Sequence, residues 1–82
     1  MKAKEKIKEV IDILSELEED ITVPKNVKLK IKGVIETLKE NKELSIRINK
    51  ASNELDDIAD DANVQPYTRT QLYGVVSLLE KI

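Results

Sequence analysis

A shift of 41 residues lays the second half of this chain on its first half, and this internal repeat constrains the fold more than any other feature. The shift pairs identical residues throughout the unit: Leu14 with Leu55, Asp20 with Asp61, Val23 with Val64, Gly33 with Gly74, Val34 with Val75 and Leu38 with Leu79. A period near forty residues is typical of a helix–turn–helix unit, which cannot bury its apolar faces alone. The 82 residues therefore predict one domain, residues 1–82, with repeats over roughly 3–40 and 44–81.

The apolar residues of each copy recur at intervals of three and four, which is the spacing of one helix face. In the first copy they are Ile7, Val10, Ile11, Leu14 and Leu17, then Val27, Ile31, Val34, Ile35 and Leu38. The pattern predicts four helices near residues 3–19, 23–40, 44–60 and 64–81. Short connections make successive helices antiparallel. We therefore expect an all-α four-helix up-and-down bundle made of two duplicated helical hairpins, with HEAT-like stacking of the hairpins as the alternative.

The turn inside each hairpin carries helix-start signals at matching positions. Thr22 and Asn63 are good N-cap residues, because a side-chain oxygen there can accept a backbone N–H of the next helix. Pro24 and Pro66 follow, where the missing N–H of proline costs nothing. Both copies are thus predicted to start their second helix alike.

These turns also carry a family resemblance. The run Asp20-Ile21-Thr22-Val23-Pro24-Lys25-Asn26-Val27-Lys28, its second-copy partner ending in Arg69-Thr70, and the closing Val75-Val76-Ser77-Leu78-Leu79-Glu80 resemble a small uncharacterised archaeal family of all-helical proteins. In that family an acidic residue, two further positions, Val or Met, and then Pro recur in both turns. The second turn departs from this pattern, with Gln65 in place of Pro and Pro66 one position later. The resemblance covers nearly the whole chain and implies a four-helix bundle of unknown function.

Composition removes most catalytic chemistry. The chain has no His and no Cys, so it lacks the usual structural-zinc ligands, a thiol nucleophile and an imidazole base. We expect no enzyme, and assign no catalytic, cofactor-binding or metal-binding residue. Because 14 Lys and Arg nearly balance 16 Asp and Glu, net charge favours no class of partner. The longest stretch without charge has ten residues, too few for a membrane span, and we expect a cytoplasmic protein.

Acidic residues gather at the two hairpin turns, among them Asp20, Asp60 and Asp61. An up-and-down bundle brings both turns to the same end, and hard cations such as Mg²⁺ or Ca²⁺ take carboxylate oxygens. The spaced ligands and the turn glycine of a calcium loop are missing, however. Charge that stabilises the helix starts, together with solvated surface, is the better interpretation, and whether these turns hold a cation is left open.

Lysines on the second predicted helix form a lysine stripe: Lys25, Lys28, Lys32 and Lys39. Only Glu36 interrupts it. A row of ammonium groups can follow a phosphate backbone, which makes nucleic-acid or ribosome association one hypothesis. No aromatic residue interleaves with the lysines, so a solvated helix face is the simpler interpretation.

The fourth predicted helix differs from the others because its only charge between Ala62 and Leu79 is Arg69. Beside its core stripe lies a second row, which we call the fourth-helix flank: Tyr67, Gln71, Gly74 and Leu78. Glycine inside a helix costs about 1 kcal/mol relative to alanine, so Gly74 and its counterpart Gly33 predict close approach of another helix. The sequence alone does not identify the function. It favours a small non-enzymatic interaction module that binds a protein partner or a second copy of itself through this flank.

Overall fold

The computed structural model describes residues 2–82, and its secondary structure consists of four α-helices. They are α1 (Lys2–Glu19), α2 (Lys25–Lys39), α3 (Leu44–Ala59) and α4 (Pro66–Glu80). Each helix packs on the next along the chain, and α1 closes the ring against α4. This closure confirms the four-helix bundle and disfavours an open stack of two hairpins. Within residues 2–82, none of these helices combines the length and the apolar content that crossing a bilayer requires.

The core lies along the bundle axis and contains most of the residues that the helical spacing predicted, while Ile11 packs against it and is only partly buried. All five apolar positions predicted for α2 are buried, and so are Leu55, Leu72 and Leu79 in the second copy. The only buried polar side chains among residues 3–82 are Thr37 and Thr68. The periodicity did not include Val23 and Val64, which lie in the turns and are nevertheless 4% and 3% exposed. Each valine packs against the core at the turn of its hairpin.

The predicted N-caps are wrong. In the first turn, Oδ1 of Asp20 accepts hydrogen bonds from the backbone N–H of Thr22 at 2.9 Å and from its hydroxyl at 2.7 Å. In the second turn, Oδ1 of Asp61 accepts the backbone N–H of Asn63 at 2.9 Å. Neither α2 nor α4 has a side-chain cap. The aspartate two residues earlier forms a local turn with the expected cap residue and so delays the helix.

As a result, α2 and α4 begin two residues later than predicted, at Lys25 and Pro66. These two positions still match in the 41-residue repeat. Pro24 is the N-cap of α2, whereas Gln65 is the N-cap of α4 and Pro66 its first helical residue. Proline is well suited to that first position, because its fixed φ is already helical. The departure of the second turn from the family pattern therefore leaves the helix start unchanged.

Candidate functional site

The fourth-helix flank lies on the side of α4 that faces away from α3. Val76 and Glu80 line a cleft between α4 and α3. A helix turns about 100° per residue, so the flank residues emerge on the other side of the core stripe, toward α1 and solvent. The flank therefore borders the seam between α4 and α1, which is the least extensive of the four helix contacts.

The four flank residues differ in their exposure. Tyr67 is 65% exposed, and Gly74 is also exposed. Gln71 and Leu78 are partly buried, and Leu78 packs against the core cluster. The side-chain amide Nε2 of Gln71 donates a hydrogen bond to Oη of Tyr67 at 2.8 Å. This bond leaves the Tyr67 hydroxyl proton and the Gln71 carbonyl oxygen free for further partners.

The two glycines occupy the predicted positions within α2 and α4, but no other helix comes close to either. Apart from the adjoining backbone of its own helix, no atom lies within 4 Å of the point where a Cβ would stand at Gly33 or at Gly74. Neither has a positive φ. The prediction of a close helix approach at the glycines is therefore wrong, and Gly74 leaves an open notch in the middle of the fourth-helix flank.

Arg69, the only charged residue of α4 before Glu80, is turned toward the end of α3. The guanidinium of Arg69 donates to three backbone carbonyls, those of Ala59 at 2.7 Å, Asp61 at 3.2 Å and Val64 at 3.1 Å. It thereby closes the end of α3 and holds the turn that follows. Since Arg69 is committed to these contacts, the outer surface of α4 from Pro66 to Leu79 offers no free charge.

The repeat supplies an internal comparison for the flank, because the seam between α2 and α3 corresponds to the seam between α4 and α1. The α2–α3 groove is lined by charged residues, including Lys30 on α2 and Glu54 on α3. The positions that match Lys30 and Glu54 on the other seam hold Gln71 and Ile13, whereas Asp57 of the groove is matched by another acid, Glu16. The flank residue Leu78 likewise corresponds to Thr37. The α4–α1 seam is therefore both less charged and more apolar than its counterpart.

The lysine stripe is largely solvated. Lys25, Lys32 and Lys39 are exposed, as is Glu36 between them, and Lys28 is partly buried. Hydrogen bonds from the Thr22 side chain and backbone lower the pKa of Asp20 below its ordinary value of 3.8, and the nearby charge of Lys28 adds to the effect. One member of the stripe is thus electrostatically engaged with the first turn.

The acidic turns use their carboxylates locally. Asp20 and Asp61 accept hydrogen bonds from their own turns, and Asp61 also lies 3.9 Å from the ammonium of Lys30. In the part of the chain that the structure describes, no three acidic side chains come together as a cation site would require. Asp60 is exposed at the C-terminal cap of α3.

Comparison with known proteins shows which family this is. The model of the uncharacterised protein family UPF0147 matches residues 1–82. The UPF0147 protein Ta0600 of Thermoplasma acidophilum is 41% identical over 75 residues, covering 90% of this chain and 85% of the relative. The UPF0147 protein MJ1419 of Methanocaldococcus jannaschii is 38% identical over 77 residues, covering 93% and 83%.

Two solved structures share the fold. A UPF0147 protein from Thermoplasma acidophilum superposes with a TM-score of 0.91 at 36% identity, covering 99% of this chain and 98% of that one. The protein MMP1188, of unknown function, superposes with a TM-score of 0.89 at 40% identity, covering 94% and 89%. The chain belongs to UPF0147, a family of uncharacterised function whose members are mostly archaeal.

Proposed function

We propose that this member of UPF0147 is a small non-enzymatic protein-interaction module of the cytoplasm, and that it associates with a second copy of itself through the fourth-helix flank. The observation that carries the proposal is the difference between the two seams. The same fold has charged residues at Lys30 and Glu54 on one seam, and Gln71 and Ile13 at the matching positions on the other. Uncharged, partly apolar surface on a small domain is typical of an interface.

Charge favours a second copy as the occupant. With Arg69 bonded to carbonyls inside the bundle, the flank presents no cation or anion to pair with a charged partner. Two copies can approach through such a surface without like-charge repulsion, and a net charge of -2 per chain adds little.

The order of the flank residues fits a two-fold axis. Tyr67 and Leu78 are equally distant from the midpoint between Leu72 and Tyr73, and so are Gln71 and Gly74. An antiparallel pair of α4 helices therefore places Tyr67 opposite Leu78 of the second copy. It also places Gln71 over the open notch at Gly74 of the second copy. Two-fold pairs of this kind are the commonest homo-oligomers.

The size of the flank predicts weak association. Three side chains and the glycine between them, spread along three helical turns, bury roughly half of the ~800 Å² per partner that is common in stable complexes. We therefore expect a dissociation constant of about 100 μM, which corresponds to about 5.5 kcal/mol.

Sedimentation equilibrium from about 10 μM to 1 mM tests the proposal. Tyr67→Glu places a charge opposite Leu78 of the second copy and should leave a monomer with unchanged helical content, because Tyr67 is 65% exposed. Leu78→Glu should act in the same direction, with some loss of stability because Leu78 touches the core. Ser77→Glu is the matched control: it adds the same charge at an exposed position on another side of α4 and should still dimerise. A native protein that stays monomeric at 1 mM would refute the proposal.

The alternative function, nucleic-acid or ribosome association through the lysine stripe, is supported by the exposure of Lys25, Lys32 and Lys39. Salt distinguishes the two. Phosphate contacts weaken steeply as salt rises, whereas association through an uncharged flank does not. RNA retention that is lost between 50 and 200 mM salt, in a protein that remains monomeric, would favour the alternative.

A further inference from the structure

A second surface feature, separate from the fourth-helix flank, is a cleft between α1 and α2 that reaches the start of α3. We call it the first cleft. Its volume is about 740 Å³. The apolar residues that line it are Ile7 and Ile11 from α1 and Leu38 from α2. Leu38 is 1% exposed and Ile7 is 8% exposed, so Ile11 is the most exposed of the three. Along α1 the cleft runs from Lys4 to Asp12, or about 12 Å at the 1.5 Å rise of a helix.

Four cations surround this apolar floor: Lys4, Lys8, Lys39 and Arg47. Glu5 and Asp12 also line the cleft, so positive charge is in excess. Among residues 3–82, none of the ion pairs involves any of the four cations. The cleft therefore combines an apolar floor with positive charge that the protein itself leaves unpaired.

Arg47 is the one cation of the cleft that the described residues hold in place by a hydrogen bond. Its Nη1 donates to the carbonyl oxygen of Leu38 at 2.9 Å, which fixes the guanidinium at the end of α2. Its Nε–H is buried and has no acceptor among the described residues, so a molecule in the cleft would meet the positive charge of the guanidinium and not this donor.

The repeat shows that the fold does not require this chemistry. A second cleft, of about 510 Å³, lies between α3 and α4 at the matching place. In the second cleft, Ile48 and Leu79 occupy the positions that Ile7 and Leu38 occupy in the first. Three cation positions change in that copy, since Lys4 becomes Ser45, Lys8 becomes Asn49 and Lys39 becomes Glu80, and Ile11 becomes Ser52. Val76 and Ile82 also line the second cleft, so the two clefts differ mainly in charge.

We propose that the first cleft binds a free single-chain anionic amphiphile, a molecule with a short apolar chain and a carboxylate or phosphate head group. The chain would lie over Ile11 and the exposed edge of Ile7. The head group would be held by the ammonium groups of Lys8 and Lys39, with the positive charge of Arg47 nearby. Apolar floors with a few convergent charged groups are the usual construction of small-ligand sites.

The probe is n-octyl phosphate below its micelle concentration, titrated into the ¹⁵N-labelled native chain. We expect a dissociation constant of roughly 0.1–1 mM, in line with the energy that ligands of this size gain per atom, and amide shifts confined to the first cleft. Inorganic phosphate and n-octyl glucoside, which carry the head charge or the chain alone, should each bind at least tenfold more weakly. Equal binding of either one would overturn the proposal. So would binding seen only to anionic phospholipid vesicles, which would indicate a membrane surface instead.

Exchanging the two clefts tests the location. Lys8→Asn, Ile11→Ser and Lys39→Glu together give the first cleft three residues of the second and leave Lys4 and Arg47 in place, and we expect octyl phosphate binding to weaken at least tenfold. Lys25→Glu with Lys32→Glu is the control for charge, since both lysines are exposed on α2 outside the cleft, and it should change binding less than twofold. Octyl phosphate that binds the exchanged variant as well as the native chain would overturn the assignment.

The reverse exchange tests the same assignment even if the first exchanged variant folds poorly. Asn49→Lys, Ser52→Ile and Glu80→Lys give the second cleft the floor and two of the cations of the first. We expect new amide shifts in α3 and α4 on addition of octyl phosphate. A folded reverse variant without such shifts would show that the floor and these lysines do not make the site.

Discussion

Replacing each mid-helix glycine by alanine should stabilise the bundle. Gly33 and Gly74 have helical backbones, and apart from the adjoining backbone of the same helix no atom lies within 4 Å of a Cβ at either position. Alanine therefore gains helix propensity and restricts the unfolded chain without a clash. The expected gain is about 0.5–1 kcal/mol for each substitution, which corresponds to a rise in Tm of roughly 2–8 °C for a domain of this size. The two gains should add, because the sites share no contacts.

Thermal unfolding followed by circular dichroism at about 5 μM measures these gains in the monomer, far below the expected dissociation constant of the dimer. Gly33→Ala serves as the matched control for Gly74→Ala, since it makes the same change at the same place in the other copy. A loss of stability for either variant at this concentration would show that its helix face is packed, and would refute the reasoning from open space.

The same pair of variants connects stability to self-association. If Gln71 of a second copy occupies the notch at Gly74, the new methyl group must hold the two helices apart. Gly74→Ala should then weaken the dimer several-fold in sedimentation while raising the Tm of the monomer. Gly33→Ala should raise the Tm and leave the dimer unchanged. Equal dissociation constants for the two variants would place the interface away from Gly74.

Two further predictions concern the helix ends and turns. Arg69→Lys should lower the free energy of unfolding by about 2–3 kcal/mol in urea denaturation, because an ammonium cannot reproduce three guanidinium hydrogen bonds to backbone carbonyls. Arg47→Lys loses only one such bond and should lower the free energy of unfolding by about 1 kcal/mol. Thr22→Val should raise the pKa of Asp20 back toward 3.8 in an NMR carboxyl titration, because the Thr22 hydroxyl is the largest cause of its lowering. Because the pKa of Asp20 is lower in the folded protein than in the unfolded chain, Asp20 stabilises the fold above about pH 4, and this contribution disappears as the pH falls through the folded pKa. If Thr22→Val leaves the pKa of Asp20 unchanged, this account is contradicted.

The helices and most of the core could be predicted from the sequence because they depend on local periodicity. Residues such as Leu14 and Ile31 repeat at helical spacing, and burial follows directly from that spacing. The helix starts could not be placed as well, because Asp20 and Thr22 offer two hydrogen-bonding arrangements, an N-cap and a local turn, that single-residue preferences do not rank. Valine stands at both position 23 and position 64, which match in the repeat, and this match is the sequence feature that pointed to their burial.

The candidate surfaces depend on tertiary contacts that no local pattern contains. Arg69 on α4 can donate to the carbonyl of Ala59 only because the bundle brings the end of α3 close to α4, although the two residues are ten positions apart in the sequence. The glycine prediction failed for a related reason: a missing side chain indicates equally a close approach or an open notch, and only the neighbouring helices decide. The first cleft joins residues from three helices, so its charges are scattered in the sequence.

Because the chain is duplicated, variants at positions that differ between its two copies can distinguish the two proposed sites. The fold forms each seam and each cleft twice, so a position that differs between the copies is not dictated by the helix pair that carries it. The flank and the first cleft are two such places, and they lie on different helix contacts. Tyr67→Glu should therefore abolish the dimer and leave octyl phosphate binding within twofold of native. Exchange of Lys8, Ile11 and Lys39 should do the opposite, and loss of both properties in either variant would show that the two sites are one surface.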